Sequence, residues 1–120
     1  MTKSAALLKF FEGFGIQAYP RNAVPDDLTF PWLTYDNVIG NPGDGPVSSS
    51  VNLWYRTTSE KEPNDKAEEI SRKIGLGGAV VPYDDGIIWI QRDEPWCQSL
   101  NDENDSAIKR RLLNLTFMYL

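Results

Sequence analysis

The residues best equipped for chemistry fall in one stretch, "QSLNDENDSAIKRR", residues 98–111. Asp102, Glu103 and Asp105 lie within four positions, and Lys109, Arg110 and Arg111 follow at once. Carboxylates this close could ligate calcium, form a general acid/base pair, or make a charged docking loop. A calcium loop of the helix–loop–helix type needs oxygen ligands at alternate positions, a central glycine and a glutamate at position twelve. Counting from Asp102, Asn104 fits the third position. Ser106 and Ala107, however, stand where a ligand and the glycine belong, and position twelve is Leu113. The spacing excludes that site. An acid/base pair needs desolvated or oppositely tuned surroundings, and this run has only polar neighbours. Two readings remain open: a solvated acidic loop leading into a strand, or a charged docking patch. On either, removing Asp102, Glu103 or Asp105 is expected to cost little stability, as at ordinary surface sites.

The rest of the chemical inventory is thin. Histidine is absent, which removes Ser-His and Cys-His dyads, the HExxH zinc site and any histidine pH switch. The single Cys97 has no internal disulfide partner, and between Trp96 and Gln98 it reads as a small buried residue. "GLGG" at residues 75–78 lacks the dinucleotide-loop spacing and follows a helical pattern, so it reads as a helix cap and turn. Asn114-Leu115-Thr116 matches a glycosylation sequon but reads as part of a strand. We assign no catalytic, cofactor-binding or metal-binding residue, and no enzymatic activity.

Length and composition set the frame. At 120 residues, 41% apolar and 24% charged, the chain is expected to form one domain, residues 1–120, with one real core. The formal charge of −5 argues against gripping a phosphate backbone, which needs surplus Lys and Arg. No apolar run approaches the roughly 20 residues of a membrane-spanning helix. The opening "MTKSAALLKFFEGFG" is interrupted by Lys9 and Glu12, unlike a signal peptide. The expected setting is the cytoplasm, or a particle assembled there.

The patterns that must position these residues are two helices and about five strands. Leu7, Phe10, Phe11 and Phe14 share one face of a helix over residues 3–14, stopped by Gly13 and Gly15. Residues 17–31, with Pro20, Pro25 and Pro31, read as extended and turn-rich. "PWLTYDNVI" then reads as a strand. Residues 40–50, with three glycines and two prolines, read as a flexible hairpin connection or a partner-binding arm carrying Asn41, Asp44 and Val47. The next strand alternates Val51, Leu53 and Tyr55 against Asn52, Trp54 and Arg56. A second helix, "EPNDKAEEISRKIG", buries Ala67, Ile70 and Ile74 and ends at Gly75. A hairpin follows, with Asp85-Gly86 expected to supply the positive φ angles of a tight turn. The last strand aligns Leu113, Leu115, Phe117 and Tyr119. The expected fold is α+β, two helices on a largely antiparallel, mixed sheet.

The strands carry more apolar residues than one buried face requires. Ile87 and Trp89 oppose Ile88 and Ile90, while Trp54, Leu112, Met118 and Leu120 fall on the second face of their strands. Two short helices cover one face, hardly both. Either the second face is an interface between copies, with Trp54, Ile87, Trp89 and Met118 at its heart, or loops 17–31 and 94–108 fold over it.

The layout resembles a known family. A short N-terminal helix leads to "FPWLTYDNV", a glycine-rich loop, and "SSSVNLWYRTTSEKEPNDKAEEISRKIG". Then come "DDGIIWIQRDEPWCQSLNDEND", with Arg92, Pro95 and Gln98 in an R-x-x-P-x-x-Q arrangement, and the closing "KRRLLNLTFMYL". Together these resemble the minor capsid or tail-terminator (tail completion) proteins of long-tailed bacteriophages, over nearly the whole chain. The resemblance implies a structural subunit of the virion, assembled in the bacterial host cytoplasm into a homo-oligomeric ring, usually a hexamer. The ring would cap the tail tube protein, stop tail elongation and offer a surface to the head completion or connector protein. DNA would pass through without specific binding, and no membrane, cofactor or catalytic residue is implied. A head-side connector shares similar features. An acidic monomeric binding protein of the inhibitor or immunity type, and an enzyme of carboxylate-only chemistry, are the competing classes.

Overall fold

The computed structural model describes all of residues 1–120. In chain order the elements are α1 (Lys3–Glu12), β1 (Gln17–Pro20), β2 (Trp32–Tyr35), β3 (Val47–Arg56), α2 (Lys61–Ile74), β4 (Ala79–Tyr83), β5 (Gly86–Asn101) and β6 (Ile108–Tyr119). The fold is α+β, with six strands where the sequence suggested about five. They form one sheet in the order β1-β2-β3-β6-β5-β4. Only β1 and β2 run parallel; every other neighbouring pair is antiparallel.

The helices form where the sequence placed them. Thr2 caps α1 by accepting the Ala5 amide at 3.1 Å. Phe11 stacks on Tyr35 with ring centroids 4.5 Å apart, and Phe10 meets Phe11 and Phe14 edge-on. In α2, Ala67, Ile70 and Ile74 are buried as expected, and Gly75 closes the helix at φ +73°, its amide donating to the Ser71 carbonyl.

Every second residue of β3 from Val51 to Tyr55, and of β6 from Leu113 to Tyr119, enters a single core together with Leu33, Ile88 and both helices. Both helices therefore lie on one face. The α1 helix packs against both edge strands, β1 and β4, so the curled sheet brings its two edges to the same helix. Each edge strand carries a proline, Pro20 and Pro82, which removes a donor from the open edge and discourages edge-to-edge strand addition.

Four expectations change. Residues 17–20 are strand, not loop. Residues 94–101, expected to be loop, continue β5, whose pairing with β6 breaks between Arg92 and Cys97 around Pro95 and resumes. The long connection starts earlier and ends sooner than expected, because Val47 already pairs with Phe117. The β4–β5 turn uses no positive φ at Asp85 or Gly86. Gly86 is needed for another reason: a Cβ there would lie 2.0 Å from the Leu120 carbonyl oxygen.

Candidate interaction surfaces

The acidic run closes the β5–β6 hairpin as an ordered turn. Asp102 accepts the Asn104 amide at 2.8 Å, and Asp105 accepts the Ala107 amide at 2.9 Å. The other Asp105 oxygen reaches the Arg56 guanidinium at 2.7 Å, and the Ala107 carbonyl accepts the Thr57 amide. The Ala107 amide and, secondarily, Arg56 hold the Asp105 carboxyl below its ordinary pKa. Asp105 thus ties the hairpin to the end of β3, whereas Glu103 is exposed and makes no ion pair. The three carboxylates are not equivalent, contrary to the sequence expectation. Asp105→Ala should lower the melting temperature by a few degrees, Asp105→Asn by less because it keeps the turn bond, and Glu103→Ala not measurably. Thermal melts of the three variants check this ordering, and equal melts would contradict it.

The cations that follow part company too. Arg110 lies on the helix-free face, its guanidinium 5.0 Å from the Trp54 ring and its Nε 2.8 Å from the Asn52 side-chain oxygen. Arg111, one position on, points the other way and is 1% exposed. Its guanidinium donates to Glu60, to the Asn64 oxygen at 2.9 Å and to the Arg110 carbonyl. Glu60 opens α2 but makes no capping bond; its carboxylate holds Arg111, and Lys109 approaches at 3.7 Å. The Arg111 bond holds the Glu60 carboxyl below its usual range, so its contribution is present above about pH 4.5 and is lost as pH falls through the lowered value. One signal in the sequence pointed to Arg111: it is in phase with Leu113, Leu115, Phe117 and Tyr119.

The four residues expected at an oligomer interface do share the helix-free face, but they do not form one patch. Trp54 pairs across the sheet with Trp32 and with Arg110, while Met118 pairs with Trp89. Arg110 and Met118 are eight positions apart on β6, about 27 Å at the usual rise per residue. Between them the face is mostly polar, with Ser50, Asn52, Gln91, Asn114 and Thr116, and Leu112 is its apolar exception. At one end Trp32 and Trp54 stack at 5.1 Å, with Phe30 packed beyond Trp32. At the other end lie Val80, Pro82, Ile87, Trp89, Met118 and Leu120, a corner built by β4, β5 and β6. Trp89 is partly occupied: its indole donates to the Gly77 carbonyl at 2.8 Å and packs on Gly78. Val80 at 59% and Leu120 at 49% are among the few large apolar residues left exposed. Of the segments expected to cover this face, residues 17–20 belong to β1 and 94–101 to β5. Phe30 packs on Trp32, and residues 101–104 line a hollow with Trp54 and Arg110, at the opposite end from the corner.

The glycine-rich connection is tethered. Asn41 accepts from Lys3 of α1 and is capped by Asp44, whose carboxylate takes the Asn41 amide at 2.7 Å. Gly40 sits against the Tyr119 ring, whose hydroxyl donates to the Val38 carbonyl. Of the docking residues expected here, Asn41 and Asp44 lie in the loop and Val47 in β3.

No group of three or more Cys, Asp and Glu side chains is placed to hold a metal ion. Burial pushes the Cys97 thiol above its ordinary pKa, which keeps it protonated and a poor nucleophile. No helix is long and apolar enough to cross a membrane. No protein-family model, curated protein or solved structure matches the chain.

Proposed function

We propose that this chain is a structural subunit of a long-tailed bacteriophage, a tail terminator that assembles with copies of itself into a ring at the end of the tail tube. The observation that carries this reading is the β4–β5–β6 corner: an apolar surface on the helix-free face, with Val80 and Leu120 exposed and Ile87 and Met118 half-buried beside them. On a domain of this size such a patch serves association better than solvation. The excess of carboxylates suits a ring that lets DNA pass without holding it, since like charges repel. The ring order, a hexamer, and the placement on the tail side rather than the head side rest on the sequence resemblance.

Ile87 and Met118 are the probes of choice, because Trp54 and Trp89 already have partners within the chain. The double variant Ile87→Glu, Met118→Glu should remain folded by circular dichroism and run as a monomer where the parent assembles. Assembly like that of the parent would remove the corner from the interface.

A further inference from the structure

Beside that corner the structure opens a groove between α1 and β4, with a volume of about 750 Å³. Ala6, Phe10 and Phe14 line it from the helix, and Val81 and Tyr83 from the strand. Its rim is basic. Lys9 from α1 and Lys73 from the end of α2 both line it, both are exposed, and neither makes an ion pair. The only carboxylate in the lining, Asp84, is engaged by the Met1 ammonium. On a chain of charge −5, this is a cationic, apolar-floored site that calls for an apolar occupant bearing negative charge.

The chain itself carries such a segment. Between β1 and β2, residues 24–28 read Val-Pro-Asp-Asp-Leu. Asp26 and Asp27 are exposed and make no ion pair, and Val24 and Leu28 are only half-buried beside them. This loop follows β1, the edge strand that closes the sheet at its other end from β4, and no residue of it lines the groove of its own chain. Two unpaired lysines over an apolar floor and two unpaired aspartates between apolar side chains are complementary surfaces on a single molecule.

We infer that the groove between α1 and β4 receives the 24–28 loop of a second copy, with Val24 and Leu28 on the floor and Asp26 and Asp27 against Lys9 and Lys73. The inference rests on the proposed ring and names its contact. Because donor and acceptor surfaces differ, the contact can repeat head-to-tail, the kind that propagates until a rotation closes it into the proposed ring. The prolines in both edge strands fit a contact made by side chains and a loop rather than by strand pairing. The groove also adjoins the apolar corner through Val80 and Pro82, so one neighbour could cover both.

Charge exchange tests it. Lys9→Glu, Lys73→Glu and Asp26→Lys, Asp27→Lys should each abolish the assembled species in native mass spectra, because each sets like charges against each other. An equimolar mixture of the two should restore assembly, with the variants alternating, since both contacts are then complementary. Zero-length carbodiimide cross-linking of the parent should join Lys9 or Lys73 of one copy to Asp26 or Asp27 of another. If the parent assembles but the variants also assemble alone and no such cross-link forms, the docking inference is overturned and the ring reading stands. If the cross-links and the charge rescue appear but the products are open chains or dimers, the docking stands and the ring falls. A parent that stays monomeric at every concentration without inter-copy cross-links overturns both.

Discussion

Replacing Arg111 by alanine should cost roughly 2–5 kcal/mol, as for other large buried side chains cut back to alanine, and lower the melting temperature by about 8–20 °C, the largest effect expected of any polar side chain in the chain. Arg111 is the largest of the fully buried side chains, and its loss leaves a cavity between β6 and the start of α2 as well as three broken hydrogen bonds. Charge and volume can be separated. Glu60 and Asn64 are exposed and can turn to water once the guanidinium is gone. Arg111→Met, which fills most of the space without the charge, should therefore lose much less than Arg111→Ala. Chemical denaturation of both variants decides between a packing role and an ion-pair role. Equal losses would mean that the ion pair, not the volume, holds α2 to the sheet.

The second large effect is alkaline. Tyr35, Tyr55 and Tyr119 are each at most 5% exposed, and burial pushes each hydroxyl up to about 12; Glu12 adds to this at Tyr35, and Glu62 and Glu69 at Tyr55. A folded-state pKa raised above the ordinary value near 10 means stability that is complete below pH 10 and lost as pH rises toward 12. At about 1.4 kcal/mol per unit, shifts of this size put a few kcal/mol at stake across the alkaline range, a substantial part of the roughly 5–15 kcal/mol that holds a typical domain. The protein should unfold between about pH 10 and 12, and the full absorbance of all five tyrosinates should be reached only as ellipticity is lost. Full absorbance of all five tyrosinates while the fold persists would show that these three hydroxyls reach solvent.

How much of this was legible in the sequence follows from the range of the forces involved. The α2 helix was readable because its apolar residues recur at helical spacing and its end carries a glycine, both local signals. The core faces of β3 and β6 were readable by alternation. The β1 strand was not: four residues, the last a proline, show no alternation, and their pairing is with a strand twelve residues further on. The second half of β5 was hidden by Asp93, Glu94 and Pro95, which read as loop and prove to be an interruption inside a strand. The helix-free face was read correctly as a face but not as a map. That Trp54 and Met118 fall at opposite ends of it depends on the register between β3 and β6, which no local pattern encodes. Residues 98–111 likewise divide: Asp105 builds a turn, Arg111 a core contact, and Glu103 faces solvent.

The proposed self-assembly of this acidic α+β subunit is tested most directly by the mass and shape of the purified parent protein. Native mass spectrometry over a concentration series, with negative-stain electron microscopy of the same samples, should show closed rings of one defined order, six subunits on the reading given above. A monomer at every concentration, featureless in the microscope, would contradict the account.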